Sequence, residues 1–386
     1  MSRDTLDLRV AREKDIPGLA ALWTDSFAGS RSQEDRAREL RDGGPYGSLA
    51  DCRLLEIDGR IAAALRVYRL QLHVRGRVFP TLGLSGVAVA PDFRRRGIGR
   101  AVCVAALEEG RRRGDVLSVL YPFRVSFYVD LGYTLAGALH HFRFRPSDLP
   151  LYPGWDRIQR GDDADLPDVR ALYRRVALRS SGMIERDKNA WKARLNSRTR
   201  LYVHRSATDA LTGYAVVSSG RRRQNPVLHV QELMWEGDDA YRALLGWLSV
   251  QRDQYAHATH DALPSEEFHQ HFAHPKVERV RRARPLWFGT EWVLRGPMLR
   301  LLDVGAAQGE GGADVLRVLD PEIPDNQGSW RGGVRIAREA SADAGALPMS
   351  EASRAFLAGT LPGQAPPPDG WTPLAAQDPF RLLDEF

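Results

Sequence analysis

One short pattern occurs twice in this chain. Asp15-Ile16-Pro17 followed by Leu22-Trp23 returns 150 positions later (15 to 165) as Asp165-Leu166-Pro167 followed by Leu172-Tyr173. Each copy follows a short apolar stretch containing an arginine, Leu8-Arg9-Val10 in one and Arg157-Ile158-Gln159-Arg160 in the other. A strand running into a helix accounts for both. Asp suits the helix N-cap, and Pro is tolerated in the first turn, where its missing N–H has no helical acceptor. Self-similarity at a fixed distance implies duplication. At roughly 100–200 residues per domain, a 386-residue chain has room for both copies and one further domain.

The first unit, residues 1–150, reads as mixed α/β. Leu54–Ile57 and Ile61–Leu70 flank Asp58-Gly59, a favoured two-residue hairpin turn. Gln71–Val74 and Val78–Leu82 flank Arg75-Gly76, and Leu84–Val89 follows as a near-continuous apolar strand. Ala101–Arg113 carries an apolar helical face and stops at Gly114. Val116–Leu120 reads as a buried strand and Phe127–Leu131 as a short helix. The second unit, residues 151–286, has strands at Arg200–Arg205, Leu211–Ser218 and Val227–Trp235, then a helix at Ala240–Arg252. The third, residues 287–386, differs: short strands at Trp292–Leu294 and Val334–Ala337, helices at Pro297–Asp303 and Ser350–Ala358. Two Gly-rich gaps (305–312 and 328–333) and an extended Pro-rich stretch (362–373) interrupt it.

The chemistry concentrates in residues 86–101, Gly-Val-Ala-Val-Ala-Pro-Asp-Phe-Arg-Arg-Arg-Gly-Ile-Gly-Arg-Ala. An apolar strand runs into a basic, Gly-bearing turn that opens a helix. Free N–H groups at a helix N-terminus, with the helix dipole behind them, form an anion site suited to a pyrophosphate. Gly97 and Gly99 let phosphate oxygens approach the backbone, and the flanking arginines raise the local potential. The Lys-Ser/Thr ending of a nucleotide P-loop and the Rossmann G-x-G-x-x-G are both absent. The pattern is R-x-x-G-x-G at Arg94–Gly99. Downstream, Phe127-Tyr128-Val129-Asp130-Leu131-Gly132-Tyr133 has the form F-Y-x-x-x-G-Y.

This pair of segments resembles the acetyl-CoA site of the GNAT N-acetyltransferases. A loop-bearing copy, a loop-less copy and a third domain ending in Glu-Phe are together similar to the Eis (enhanced intracellular survival) enzymes within that family. The fold class implied is α/β (α+β): tandem GNAT domains with mixed sheets flanked by helices, then a sterol-carrier-protein-like domain. Pro297–Val304 and Val318–Pro321 resemble the opening signals of that third domain. The resemblance implies acetyl-CoA as cosubstrate and no metal. Val87, Ala88 and Val89 would hold the acetyl carbonyl and pantetheine. Arg94, Arg95, Arg96, Gly97, Ile98, Gly99 and Arg100 would wrap the pyrophosphate. Phe123 and Arg124 occupy a further CoA-contact position, where the family carries Ser-Glu. Tyr128 would protonate the departing thiolate, and the carboxylate of Phe386 would deprotonate the acceptor amine. The implied acceptor is a polyamine such as an aminoglycoside antibiotic, with Asp25, Trp23, Phe27 and Glu385 around it and Glu34 and Asp35 close in sequence. A protein or peptide lysine is an alternative acceptor, and a non-catalytic CoA- or lipid-binding regulator is an alternative of another class. The implied assembly is a homo-oligomer, a hexamer.

The second copy carries Glu236-Gly237-Asp238-Asp239 where the first carries arginines. Carboxylates repel a pyrophosphate, so this copy is expected to be a scaffold without CoA. Apolar residues at 43% and charged residues at 27% are ordinary for a globular protein and exclude long disorder. No apolar run is long enough to cross a bilayer, and Met1–Asp4 does not open a signal peptide. With two cysteines and no disulfide framework, a cytoplasmic location is expected, with no membrane partner. The net charge of +6 comes almost wholly from arginine. Arg111–Arg113 falls in the last turn of a helix, where cations offset the dipole, and Arg221–Arg223 at a hairpin tip, so neither requires a nucleic acid. His257, His260, His269, His271 and His274 cluster without a cysteine, in a polar stretch read as a loop and not a metal site.

Overall fold

The computed structural model describes residues 8–27, 29, 31–273, 290–310, 314–338, 345–362, 364, 380, 382, 384 and 386. In the first unit the strands are β1 (Arg9–Val10), β2 (Cys52–Ile57), β3 (Arg60–Val74), β4 (Arg77–Val89), β5 (Leu117–Leu120) and β6 (Thr134–Leu135). Its helices are α1 (Ile16–Ser26), α2 (Gln33–Asp42), α3 (Ile98–Arg112) and α4 (Val125–Val129). Then follow β7 (Ala138–Phe144), β8 (Ile158–Arg160), α5 (Leu166–Leu178), α6 (Lys188–Arg194), β9 (Thr199–Arg205), β10 (Leu211–Arg222), β11 (Asn225–Trp235), α7 (Asp238–Val250) and β12 (His257–Ala262). The C-terminal part holds β13 (Trp292–Arg295), β14 (Met298–Leu301), α8 (Val304–Gln308), β15 (Leu316–Leu319), β16 (Gly328–Arg331), β17 (Val334–Ala337), β18 (Leu347–Pro348) and α9 (Met349–Ala358).

Two seven-stranded mixed sheets form, ordered β1-β2-β3-β4-β5-β14-β6 and β8-β9-β10-β11-β12-β7-β13. The two orders are the same fold written twice. Each has an antiparallel run of four strands, one parallel step (β4 with β5, β11 with β12) and two further antiparallel partners. The duplicated motif sits at matching places: Asp15 and Asp165 each close a short 3-10 turn and stand at the N-cap of α1 and α5. Neither carboxylate caps its helix. Asp15 reaches back to the N–H of Arg12 (2.8 Å) and Asp165 to that of Asp162 (3.0 Å). The same carboxylates take an arginine from a neighbouring strand, Arg9 (2.7 Å) and Arg205 (2.7 Å).

The sheets do not stop at residues 150 and 286. β7, from the first unit, pairs with β12 in the second sheet, and β14, from the third unit, pairs with β5 and β6 in the first, so each sheet is completed by a strand from another unit. Pro297–Asp303, expected as a helix, therefore contains strand β14. All four of its residues are fully buried, and an apolar run of that length is compatible with either element until its pairing partners are known. Arg300, in the middle of β14, is held by both oxygens of Asp320 (2.8 and 2.7 Å) and by the carbonyl of Leu131.

The third sheet, β17-β16-β15-β18, packs against the first through one continuous core. Leu117, Leu299 and Leu301 meet Trp330, Met349 and Phe356 there. The Gly-rich gap at 328–333 contains β16 and its tight turn. Most of 362–373 lies outside the described residues. Among the described residues no helix is long and apolar enough to cross a membrane.

Candidate functional site

β4 and β5 pair only over Thr81–Gly83, after which β4 runs on alone to Val89. Val87 and Val89 are half-buried, and the edge of β4 that β5 leaves is free to pair with something else. On the other edge the register with β3 shifts. Ala88 faces Ala64 and Ser85 faces Arg66, so Gly86 and Val87 together oppose Leu65. That is a β-bulge, which bends the strand and re-aims its peptide groups. Gly86 carries it at φ 62°, and its carbonyl accepts a hydrogen bond from the indole of Trp23 at 2.6 Å.

The turn after β4 is held from within. The Arg94 guanidinium donates to the Val89 carbonyl (3.0 Å), Arg95 adopts φ 61°, and Gly97 is the N-cap of α3 at φ 79°. No side chain caps α3, and a Cβ on Gly97 would meet nothing within 4 Å. Amides at the start of α3 thus face open space, flanked by exposed Arg95 and Arg96. Arg100 is engaged elsewhere, on Glu322 (2.5 Å) and the Asp130 carbonyl (3.3 Å). Ile98 is buried beneath the turn, and a Cβ added to Gly99 would stand 3.6 Å from the Val89 side chain. The residues present fit a pyrophosphate with a pantetheine arm lying along β4: donors, positive field and a cleared backbone all converge.

Tyr128, in α4, is almost fully buried among the rings of Phe123, Phe127 and Tyr133 at 5.0–5.8 Å. Burial pushes its hydroxyl pKa well above 10, so it carries its proton at neutral pH. Its neighbour Tyr133 is committed to Ser118 (2.6 Å). Phe123 is 63% exposed and Arg124 is exposed at the N-cap of α4, so both stand on the surface beside Tyr128.

On the other side of the bulge lies a cavity of ≈ 370 Å3. Trp23 of α1 and Phe27, just past its end, line it, together with Tyr46, Tyr68, Ser85 and Phe386. Phe386, the last residue, lies with its ring against Tyr46, Tyr68 and Tyr121 at 6.1–6.3 Å. Its oxygen accepts from the Ser85 hydroxyl at 2.9 Å, one residue from the bulge. The segment leading there is tied at each described position. Phe380 bridges Ser181, Tyr121 donates to the Leu382 carbonyl (3.0 Å), and Asp384 takes Arg186 (3.1 Å) and Arg194 (3.0 Å).

The expected acidic residues that are described do not gather here. Asp25 is exposed on α1 and does not line the cavity. Asp35 closes a capping box with Ser32 at the start of α2, Glu34 is exposed beside it, and Glu385 lies outside the described residues. The cavity instead contains Arg31, Arg36, Glu39 and Arg66, which sequence reasoning missed. The one available signal is the i, i+3 spacing of Arg36 and Glu39, which any solvated helix face also shows. In the second unit, β11 continues past its pairing with β12 in the same way, but Asp238 and Asp239 open α7 and Glu236 is paired with Arg175 (2.9 Å).

Several residues of the remaining basic and histidine clusters have structural partners. Arg111 reaches the Leu302 carbonyl and Asn326 (2.8 Å), and Arg113 holds Asp115 (2.6 Å), fastening α3 to its surroundings. Arg221–Arg223 form the tip of the β10–β11 hairpin. His257 and His260 belong to β12, not to a loop. His260 contacts Glu266 (2.9 Å) and His271 contacts Tyr152 (2.9 Å). His274 lies outside the described residues, among which no group of metal-ligating side chains converges.

Two family models, each described as "Acetyltransferase (GNAT) domain", match residues 7–136 and 182–301. The N-acetyltransferase Eis of Mycobacterium bovis is 34% identical over 148 residues, 35% of this chain and 34% of that protein. The N-acetyltransferase Eis of Mycobacterium tuberculosis is 35% identical over 149 residues, again 35% of this chain and 34% of that protein. The chain thus matches about a third of the length of these curated relatives. Among solved structures, a GCN5-related N-acetyltransferase from Anabaena variabilis superposes with a TM-score of 0.72 at 18% identity, covering 91% of this chain and 89% of that one. One from Kribbella flavida gives 0.70 at 23%, covering 91% and 90%, and Eis1 from Mycobacterium abscessus 0.69 at 20%, covering 92% and 90%. At these identities the likeness is one of fold.

Proposed function

The chain belongs to the GNAT family, and from that premise we propose that it is an acetyl-CoA-dependent N-acetyltransferase of small-molecule amines, of the Eis type. One observation carries the reading. A bulged strand, whose residues Val87–Val89 are free of β5, leads through a tight arginine-bearing turn to the uncapped start of α3. The free edge offers peptide groups to a pantetheine, and the helix start offers amides to a pyrophosphate.

Acetyl-CoA supplies the acetyl group, and its sulfur leaves as the thiol. The Phe386 carboxylate, accepting from Ser85 at the mouth of the bulge, takes one proton from the acceptor amine. The amine nitrogen forms the bond to the acetyl carbon as the carbon–sulfur bond breaks. Peptide N–H groups of Val87–Val89 stabilise the charge gathering on the acetyl oxygen. The Tyr128 hydroxyl gives its proton to sulfur. One proton is taken and one is given, so exchange through solvent returns both groups to their starting states.

The acceptor cavity, at ≈ 370 Å3, suits a small molecule. The polyamine implied by the resemblance, aminoglycosides included, needs carboxylates in excess along the walls. Among the described residues Glu39 and the terminal carboxylate face three arginines, which supports an acceptor of lower positive charge. The implied homo-oligomer is supported by β13, a sheet-edge strand with Trp292, Val293 and Leu294 at 43–58% exposure. Sedimentation velocity giving only monomer would remove that part of the proposal.

The central test is calorimetric titration with acetyl-CoA, followed by CoA release with a panel of amines. Binding that weakens about tenfold in an Arg95→Glu, Arg96→Glu double variant is the expected result, from the loss of charge-assisted contacts. No binding of acetyl-CoA at millimolar concentration would overturn the reading.

A further inference from the structure

Among the described residues the acceptor cavity has one arginine, Arg36, that makes no ion pair. Arg36 and Glu39 lie on one face of α2, across from Phe27, just past the end of α1, and Arg66 of β3. Glu39 is the cavity's described acidic side chain, and both its oxygens are taken: one by Arg66 at 2.7 Å, the other by Arg31 at 2.7 Å. Arg66 is mostly buried, 4.4 Å over the Trp23 ring, with a second bond to the Tyr68 hydroxyl (3.0 Å). Arg36 makes no ion pair among the described residues. It lies 5.9 Å over the Phe27 ring and donates from Nη2 to the Phe27 carbonyl at 3.3 Å. Its Nε–H is buried and makes no hydrogen bond. Burial and the positive field of Arg31 push the Arg36 pKa down, against the pull of Glu39.

A buried, unsatisfied guanidinium N–H is costly, and native structures keep few of them. The cavity wall it shares has aromatic rings, Trp23, Phe27, Tyr46 and Phe386, beside the Arg31–Glu39–Arg66 cluster, and the Phe386 carboxyl oxygen is taken by Ser85. A guanidinium presents a planar fork of donors that matches a carboxylate. We infer that the acceptor is an amino carboxylate with an apolar body, its carboxylate docked on Arg36 and its amine directed at Ser85 and Phe386. This rests on the acetyltransferase reading for the fate of the amine, but the anion contact itself is independent of turnover. A polycation would meet Arg31 and Arg36 at the same walls and be repelled.

The test uses the full chain and two acetylated compounds that differ only in the carboxylate, N-acetylphenylalanine and N-acetylphenethylamine. Calorimetry should give about tenfold tighter binding of the carboxylate compound, from the gain of a charge-assisted bond. Arg36→Gln should abolish that difference while leaving N-acetylphenethylamine binding unchanged, which shows the cavity intact. Equal binding of the two compounds, failure of both to bind at millimolar concentration, or discrimination that survives Arg36→Gln each overturns the inference. In parallel, CoA release is followed with phenylalanine, phenethylamine and spermidine. If no amine releases CoA while the carboxylate discrimination holds, the acetyltransferase reading fails and the anion site stands. If spermidine is the best acceptor, the reading stands and the inference fails.

Discussion

Tyr128 and the two cysteines show how burial alone sets the chemistry of a side chain. Cys52 and Cys103 are fully buried, and burial raises their thiol pKa values to about 11 and about 12. Thiolate is the reactive form, so neither should react with a thiol reagent in the native protein. Titration with a chromogenic disulfide should count no reactive thiols before unfolding and two after; a fast-reacting thiol in the native state would contradict the packing around them. Tyr128 is buried too, yet its hydroxyl makes no hydrogen bond within the described chain, which leaves its proton free for another group. Replacing it by Phe keeps the ring packing and removes the donor. The proposed role predicts a fall in kcat of about a hundredfold or more, with the acetyl-CoA dissociation constant unchanged. Full activity in Tyr128→Phe would take the residue out of the reaction. Displacing the terminal carboxylate by one added glycine, about 3.5 Å of chain, should lower the rate without unfolding the protein.

The elements legible in the sequence were those whose signals are local. The Asp58-Gly59 and Arg75-Gly76 turns, the helix opened at Gly97 and the start of each duplicated unit depend on residues a few positions apart. All are present, with left-handed φ values at both residues of each turn. What could not be read was anything settled by pairing at a distance. β14 is four residues long and fully buried, and its identity as a strand comes from β5 and β6, far away in sequence. The basic cavity was hidden for the same reason: Arg36, Glu39 and Arg66 each look like an ordinary solvated charge until α2 is laid against β3. The fastening of β14 supplies a test. Asp320 takes Arg300 with both oxygens and also accepts from the Glu322 and Ile323 amides and Asn326. Asp320→Ala leaves Arg300 charged and buried, and should destabilise the chain by about 3–5 kcal/mol in chemical denaturation. Arg300→Met removes the charge and should cost less. Equal losses would mean that the ion pair itself does not matter.

Across the molecule, a buried charge cluster joins the C-terminal segment to the second unit. Glu232 bonds Arg186 (2.6 Å) and Tyr214 (2.6 Å), and Asp384 shares both Arg186 and Arg194. Burial alone would raise the Glu232 pKa, but Arg186 and Arg194 outweigh it and bring it down to about 2. A folded-state pKa below the unfolded value contributes stability that is present above the ordinary carboxylate range and lost as pH falls towards the folded value. Unfolding free energy should therefore drop between about pH 5 and pH 2. Glu232→Gln should flatten that slope while lowering stability at neutral pH. An unchanged slope would mean that other carboxylates govern acid unfolding.

The exchange of β7 and β14 between the sheets has a consequence for synthesis. A ribosome delivers residues 117–120 long before residues 298–301, so the N-terminal sheet must wait, with one side of β5 bare, for most of translation. An unpaired strand edge is where nascent chains misassociate. Completion of the first sheet thus has to await residues 298–301, and a chain cut after residue 150 should yield fragments that recover that sheet only when both are present.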